Sequence, residues 1–290
     1  MNKDELTTIV AQMLRQMSGL SDEPPVKAAD YTPTAPTPDF GKVDLRKQYL
    51  VENPANGAAF LSLKAKTPAR IGVGRAGARY KTETMLRFRA DHAAALDSVF
   101  SLVPEEFYKK NNLVFVQTRC KDKDEYLTRP DLGRRFDEKN QQIIRQVGQG
   151  QRVLLVIGDG LSSAAVEANA IDCAAAIRQG LSASGITLGE TLFIQYCRVG
   201  ASDHIGDLTG CELVCMLVGE RPGLVTSESM SAYITYKPHI GISESKRTVI
   251  SNIHRQGTPA LEAGAHIASL IPTMLAQKAS GIDLRQEGMQ

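Results

Sequence analysis

Apolar positions recur along the chain with two periods. Leu6, Ile9, Val10, Met13, Leu14 and Met17 recur every three or four residues, which predicts an amphipathic helix over Met1–Met17. Thr82–Phe100 reads as a second helix, with Met85, Leu86, Ala93, Leu96 and Phe100 near helical spacing. Arg134–Val147 reads as a third, with Phe136, Ile143, Ile144 and Val147 apolar. Short apolar runs predict strands at Asn112–Val116, Arg152–Ile157, Thr191–Tyr196, Leu213–Val218, Ser231–Tyr236 and Arg247–Ile253. Leu213–Val218 is apolar throughout and free of charge, as a strand covered on both faces requires. Ser163–Gly180 is predicted helical, with Gly180 and Gly185 as stops. A last helix is predicted to start at a Thr258 cap, with Pro259 in its first position. Leu261, Ala265, Ala268, Ile271 and Leu275 would form its inner face, and Pro272 would kink it.

This alternation predicts an α/β fold: a Rossmann-like, mainly parallel sheet with covering helices. A smaller helical N-terminal region and a disordered linker are expected before it. The boundaries read as a docking helix over 1–17, a Pro-rich linker over 18–40, a mostly helical segment over 41–148 and an α/β ligand-binding segment over 149–290. The linker holds Pro24, Pro25, Pro33, Pro36 and Pro38. A short amphipathic helix on such a tether needs a partner surface, because an isolated helix of that length is marginal in water.

Totals narrow the function. A 290-residue chain with 42% hydrophobic residues has room for a real core. A net charge of +2 argues against a nucleic-acid surface as the main role. No apolar run is long enough to cross a membrane, and no signal-peptide pattern opens the chain. Five cysteines without a CxxC pair read as buried, reduced thiols in a cytosol, not as zinc ligands.

Chemistry gathers at strand ends. Gly158–Ser162, Cys197–Gly200 and Gly219–Gly223 are Gly-flanked polar loops after three successive strands. In a parallel sheet they share the carboxyl edge, where ligands bind. Glu220 and Arg221 are adjacent and point opposite ways on extended backbone. Asp159 reads as a helix cap or a site residue, and Asn252-Ile253-His254 ends a strand near a pocket. Asp203 and His204 are adjacent in SDHIGD, so the DxHxxG spacing of a cobalt-ligating histidine is not met. The GVGRAG string at Gly72, Gly74 and Gly77 matches GxGxxG, but Pro68 and only three further residues precede it. A dinucleotide site would need a strand there, so a basic loop of Arg70, Arg75, Arg79 and Lys81 is the better reading. Residue chemistry alone yields no catalytic set and no metal site.

Six segments, in order, resemble the ethanolamine ammonia-lyase small-subunit family: GRAGARYKTETMLRFRADHA from Gly74, YLTRPDLGRR from Tyr126, IGDGLSS from Ile157, LVGERPGL from Leu217, SNIHRQGTP from Ser251 and LAQKASGI from Leu275. The resemblance runs from about Val51 to Leu284, with the N-terminal helix and linker outside the shared core. It implies a subunit of an adenosylcobalamin-dependent lyase that converts 2-aminoethanol to acetaldehyde and ammonia. The radical chemistry would lie in the large subunit, the partner in a hetero-oligomer. This chain would cover the cobalamin from the other side, base-on. Family cobalamin contacts fall on Val199, Glu220 and Val249; where this chain has Val249, family members can have cysteine. The resemblance also implies residence in a bacterial microcompartment within the cytoplasm, with Met1–Met17 docking on shell or cargo. A non-catalytic adaptor that tethers a large enzyme to such a compartment is the alternative. A nucleotide-binding oxidoreductase resting on GVGRAG is a third.

Overall fold

The computed structural model describes residue 44 and residues 47–284. The predicted helix over 1–17 and linker over 18–40 lie outside the described residues. In chain order the helices are α1 (Gly57–Ala65), α2 (Thr82–Phe100), α3 (Glu105–Lys110), α4 (Lys123–Thr128), α5 (Glu138–Gly148), α6 (Ser163–Ala183), α7 (Ala201–Thr209) and α8 (Ala260–Gln277). The strands are β1 (Arg75–Ala76), β2 (Arg79–Tyr80), β3 (Val114–Gln117), β4 (Val153–Gly158), β5 (Leu192–Gln195), β6 (Leu213–Gly219), β7 (Met230–Tyr236) and β8 (Arg247–Ile253).

Six strands form a mixed sheet in the order β3-β5-β4-β6-β7-β8. The first four run parallel. β7 and β8 run antiparallel to their neighbours. The reversal follows from loop length. Only residues 220–229 separate β6 from β7, too few for the crossover that a parallel return needs. β3, from the segment before residue 149, forms one edge of the sheet by pairing with β5.

Alternation along the buried strands feeds two cores. Leu155, Ile157, Cys215 and Leu217 pack with Val166 and Ile177 of α6 and Ile267 and Ile271 of α8. Leu154, Val156, Val214 and Met216 pack with Ile144 of α5 and Ile205 of α7. All seven residues of β6 are buried, so its apolar run serves both faces at once. Each such side chain contributes on the order of 1.5–3 kcal/mol by leaving water.

Several local expectations are corrected. α6 runs through Gly180, where a Cβ would lie 2.5 Å from Ala268 Cβ; the helix ends instead before Gly185, at φ +76°. That glycine permits close approach of α6 to α8. Thr258 does not cap α8. Its N–H and carbonyl are bonded to Asn252 and His254, and Pro259 occupies the cap position. Leu261 and Ala265 are exposed, and Ala263, Gly264, Ile267 and Met274 join Ala268, Ile271 and Leu275 inside. GVGRAG runs into β1 and the turn of the β1–β2 antiparallel hairpin. No strand leads into it, so the dinucleotide geometry is absent there. No helix among the described residues is long and apolar enough to cross a membrane.

Candidate functional site

The carboxyl ends of β4, β5 and β6 meet as the sequence predicts, and backbone bonds knit their loops together. Asp159 N–H donates to the Ile194 carbonyl (2.8 Å), and Cys197 N–H donates to the Asp159 carbonyl (2.9 Å). Leu161 N–H donates to the Gly219 carbonyl (3.2 Å). Contact is so close that a Cβ on Gly219 would lie 2.1 Å from the Ser162 carbonyl oxygen. Only glycine fits there.

Asp159 is no helix cap. Ser162 caps α6, its Oγ accepting from Ala165 N–H at 3.0 Å. Asp159 is buried, accepts from Val103 N–H (3.2 Å) and lies 2.9 Å from the Ser163 hydroxyl. Burial pushes its carboxyl pKa up, against the pull of Lys123. Burial likewise pushes the Lys123 ammonium down, against the pull of Asp159. The Lys123 ammonium donates to the Gly160 carbonyl (3.2 Å) and lies 5.2 Å from the Tyr126 ring centre. Arg198 covers the same ring at 4.3 Å and donates to the Tyr126 carbonyl. These contacts stiffen the edge and leave its loops little freedom.

The three predicted contact residues fall on one side of this edge. Glu220 follows β6, and its carboxylate accepts from the Ser229 and Ser231 hydroxyls and from Asn252 N–H (3.4 Å). Arg221, its neighbour, is exposed, as their opposite directions predict. Ser231 shares a face of β7 with Tyr233, two residues on. Val249 on β8 pairs with Tyr233 and is 46% exposed. Val199, after β5, is half-buried against the same core as Tyr233. Val199, Tyr233, Val249 and the Glu220 carboxylate therefore belong to the α7 side of the sheet. Burial pushes the Tyr233 phenol up, and Glu220 adds to the shift.

A strut that the sequence did not announce ties this face together. Arg247 on β8 is buried and grips Asp203 of α7 with two bonds, 2.7 and 2.9 Å. Its Nε donates to Glu244 at 2.6 Å. Burial works against the Arg247 charge, but the two carboxylates outweigh it and its pKa is raised. The partners are 44 residues apart, and no local pattern marks either as paired. The adjacent Asp203 and His204 are separated in role. His204 Nδ1 accepts from Phe136 N–H (3.2 Å), and its ring stacks on Phe136. His254, at the end of β8, is buried and bonds Asn252 and Gln256. It holds the turn whose Asn252 N–H reaches Glu220. A further unpredicted link is Ser98 of α2, 2.7 Å from the Ser162 hydroxyl.

A family model described as ethanolamine ammonia-lyase light chain (EutC) matches residues 58–285. Among curated relatives, the ethanolamine ammonia-lyase small subunit of Clostridioides difficile (strain 630) is 61% identical, over 98% of this chain and all of its own length. The small subunit from Clostridium perfringens is 57% identical over the same shares. That of Listeria monocytogenes serotype 4a is 53% identical, again over 98% of this chain. The family model leaves out residues 1–57, which include the predicted helix over 1–17 and linker over 18–40, as expected of the shared core. The relatives' alignments do not, since they span nearly the whole chain.

Proposed function

The chain belongs to the ethanolamine ammonia-lyase light-chain family, and from that membership we propose that it holds adenosylcobalamin against the large subunit. The enzyme it serves is a lyase, and a small subunit implies a large-subunit partner in a hetero-oligomer. When bound, the cofactor supplies the radical chemistry that turns 2-aminoethanol into acetaldehyde and ammonia. Everything this chain adds is placement.

The face built on Val199, Tyr233, Val249 and Glu220 suits a large, amide-rich ring. A carboxylate offers about four acceptor sites. Ser229, Ser231 and Asn252 take three at Glu220, so one remains for an amide N–H of the cofactor. Those donors also hold the carboxylate in one orientation. Val199 and Val249 give the apolar flanks, and the exposure of Val249 leaves its side chain and backbone edge open to contact. Both nitrogens of His254, which follows β8 in the turn that reaches Glu220, are committed within the fold; the reading takes the cofactor base-on. The observation that carries the reading is the anchored Glu220 carboxylate beside the exposed Val249. The reading takes 149–290 as a Rossmann-like cobalamin-binding segment after a mostly helical 41–148 segment, a linker over 18–40 and a docking helix over 1–17.

The test is acetaldehyde release from 2-aminoethanol with adenosylcobalamin, using this chain, the large subunit, and both. Activity in the mixture alone, weakened by Glu220→Ala at limiting cofactor, is expected. Equal activity from the large subunit alone would make this chain an adaptor. We also infer that the enzyme is housed in a bacterial microcompartment through Met1–Met17, whose apolar stripe supports it. Deleting those residues should disperse the enzyme while preserving its activity; encapsulation that persists would sink the idea.

A further inference from the structure

Helix α2 turns its most apolar face to solvent. Met85, Ala93, Leu96 and Phe100 fall on one side at spacings of three, four and eight residues, with Arg89 between the first two and Leu86 beside them. Leu86 is 45%, Leu96 44% and Phe100 53% exposed, and Leu102, just past the helix, is 40% exposed. The buried positions on the other side are Thr84 and Ser98. A helix packed only by its own chain would show the reverse.

Polar bonds lock this orientation. Arg87 Nε reaches both oxygens of Asp91, at 2.9 and 3.0 Å, and Arg70 pairs with the same carboxylate at 2.6 Å. The Arg70 guanidinium also sits 4.9 Å from the Phe88 ring centre and donates to the Leu224 carbonyl. Ser98 bonds Ser162. Rolling α2 to bury Leu96 and Phe100 would strip these partners from half-buried charges. The exposed face is thus a stable feature of the fold, and an apolar patch of this kind marks an interface.

We propose that this face of α2 is the docking surface for the large subunit, through a patch that is apolar at its centre and acidic at its rim. Charge selects that occupant. Residues 70–91 carry six basic side chains against two acidic ones, and Arg75, Arg79 and Arg89 are exposed. A second copy of this chain seated there would oppose arginine to arginine, whereas an acidic rim would be drawn in. The helix is bonded to the carboxyl edge at Ser162, and Arg70, which pairs with Asp91 of the helix, reaches the loop at Leu224. A partner seated on α2 is separated from that edge by the helix itself, whose other face meets Ser162. The inference rests on the family membership, not on the cofactor reading.

The experiment uses the full chain co-produced with a tagged large subunit, without cofactor. Leu96→Glu with Phe100→Glu should lower the co-purified ratio of small to large subunit at least tenfold. Leu261→Glu, at a 59% exposed position of α8, should leave it unchanged. A photo-crosslinking side chain at position 96 covers the case in which the double variant misfolds. An adduct with the large subunit supports the proposal. Undiminished pairing of the folded double variant, or an adduct only with residues 1–17 or with a second small subunit, overturns it. Because no cofactor is present, these outcomes are independent of whether Glu220 binds cobalamin.

Discussion

Replacing Arg247 by Met removes the strut between β8 and α7 while keeping most of its length. The Arg247 side chain is 1% exposed and that of Asp203 12%, so the change strands a carboxylate away from water. What remains near Asp203 is the Ser202 hydroxyl, at 3.3 Å. Breaking one side of such a buried pair costs about 3–5 kcal/mol. Glu244, whose side chain is 67% exposed, returns to solvent and adds little. For a folded unit of this size the loss should lower the melting temperature by roughly 6–20 °C, at about 2–4 °C per kcal/mol. The double variant Arg247→Met with Asp203→Leu should recover most of that, because it leaves no orphan charge. Thermal melts of the four proteins in the cycle give the coupling. Hydrogen exchange at β8 amides locates it, since the edge strand should open first in the single variant. The consequence reaches the site: Arg247 lies two residues before Val249, and its partner helix starts two residues after Val199. A single variant within about 1 kcal/mol of wild type, or an additive cycle, would refute the claim that this pair holds the face together.

Gly219→Ala should destabilise the chain by about 1–3 kcal/mol, because the obstruction is the Ser162 backbone and not a pliable side chain; a denaturant midpoint equal to that of wild type would contradict it. Burial, with Arg135 and Arg119 nearby, holds the His204 pKa below 6.5. Protonation is thus disfavoured in the fold, so the neutral ring's stability is whole above pH 6.5 and lost as pH falls from there through the folded value. The melting temperature should drop more over that window than in His204→Phe, and parallel profiles would remove His204 as the cause. All five cysteines are buried, with burial pushing Cys173 up to about 12 and raising Cys197 and Cys215 as well. A thiol reagent should label them slowly in the native chain and label all five on denaturation; a thiol that reacts natively at the free rate would show local opening.

The strands were legible because their signal is local and strong. Runs such as Leu213–Val218 carry enough apolar surface to dictate burial on both faces, and β6 is buried throughout. The convergence of three loops followed from their shared strand direction. What stayed hidden depends on contacts distant in sequence. Nothing near Asp203 or Arg247 tells that they pair. The stripe of α2 was read in the right register, yet its outward direction is decided by Arg70, Arg87 and Asp91. In α8 apolar residues occupy several faces, so the period leaves the buried face open. The choice is made by Gly264, where a Cβ would lie 2.6 Å from the Cys173 carbonyl oxygen. That fit sets Gly264, Ile267, Ala268 and Ile271 inward, and Leu261, in the first turn, stays exposed. Val199, Glu220 and Val249 were reached by family resemblance; Val199 and Glu220 also lay in the convergent loops, and only Glu220 had a signal of its own, an acid just past a buried strand.

The edge loops also explain why residue chemistry alone gave no catalytic set. A reactive centre needs a titratable group left poised toward its substrate. Here the groups at the edge are spent on one another. Asp159 serves Val103 and Ser163, and Lys123 serves Gly160. Ser162 caps α6, is bonded to Ser98 and donates to the Ser227 carbonyl. The bonds to Val103, Lys123, Ser98 and Ser227 join segments far apart in sequence, so the edge behaves as one stiff piece. Glu220 keeps an acceptor site beyond its three donors, at the margin of that piece and on the same side of the sheet as the exposed Val249. Such an arrangement suits holding a preformed group in place. The proposed function assigns the radical chemistry to the large subunit, and the proposed docking on α2 is what would bring the two together.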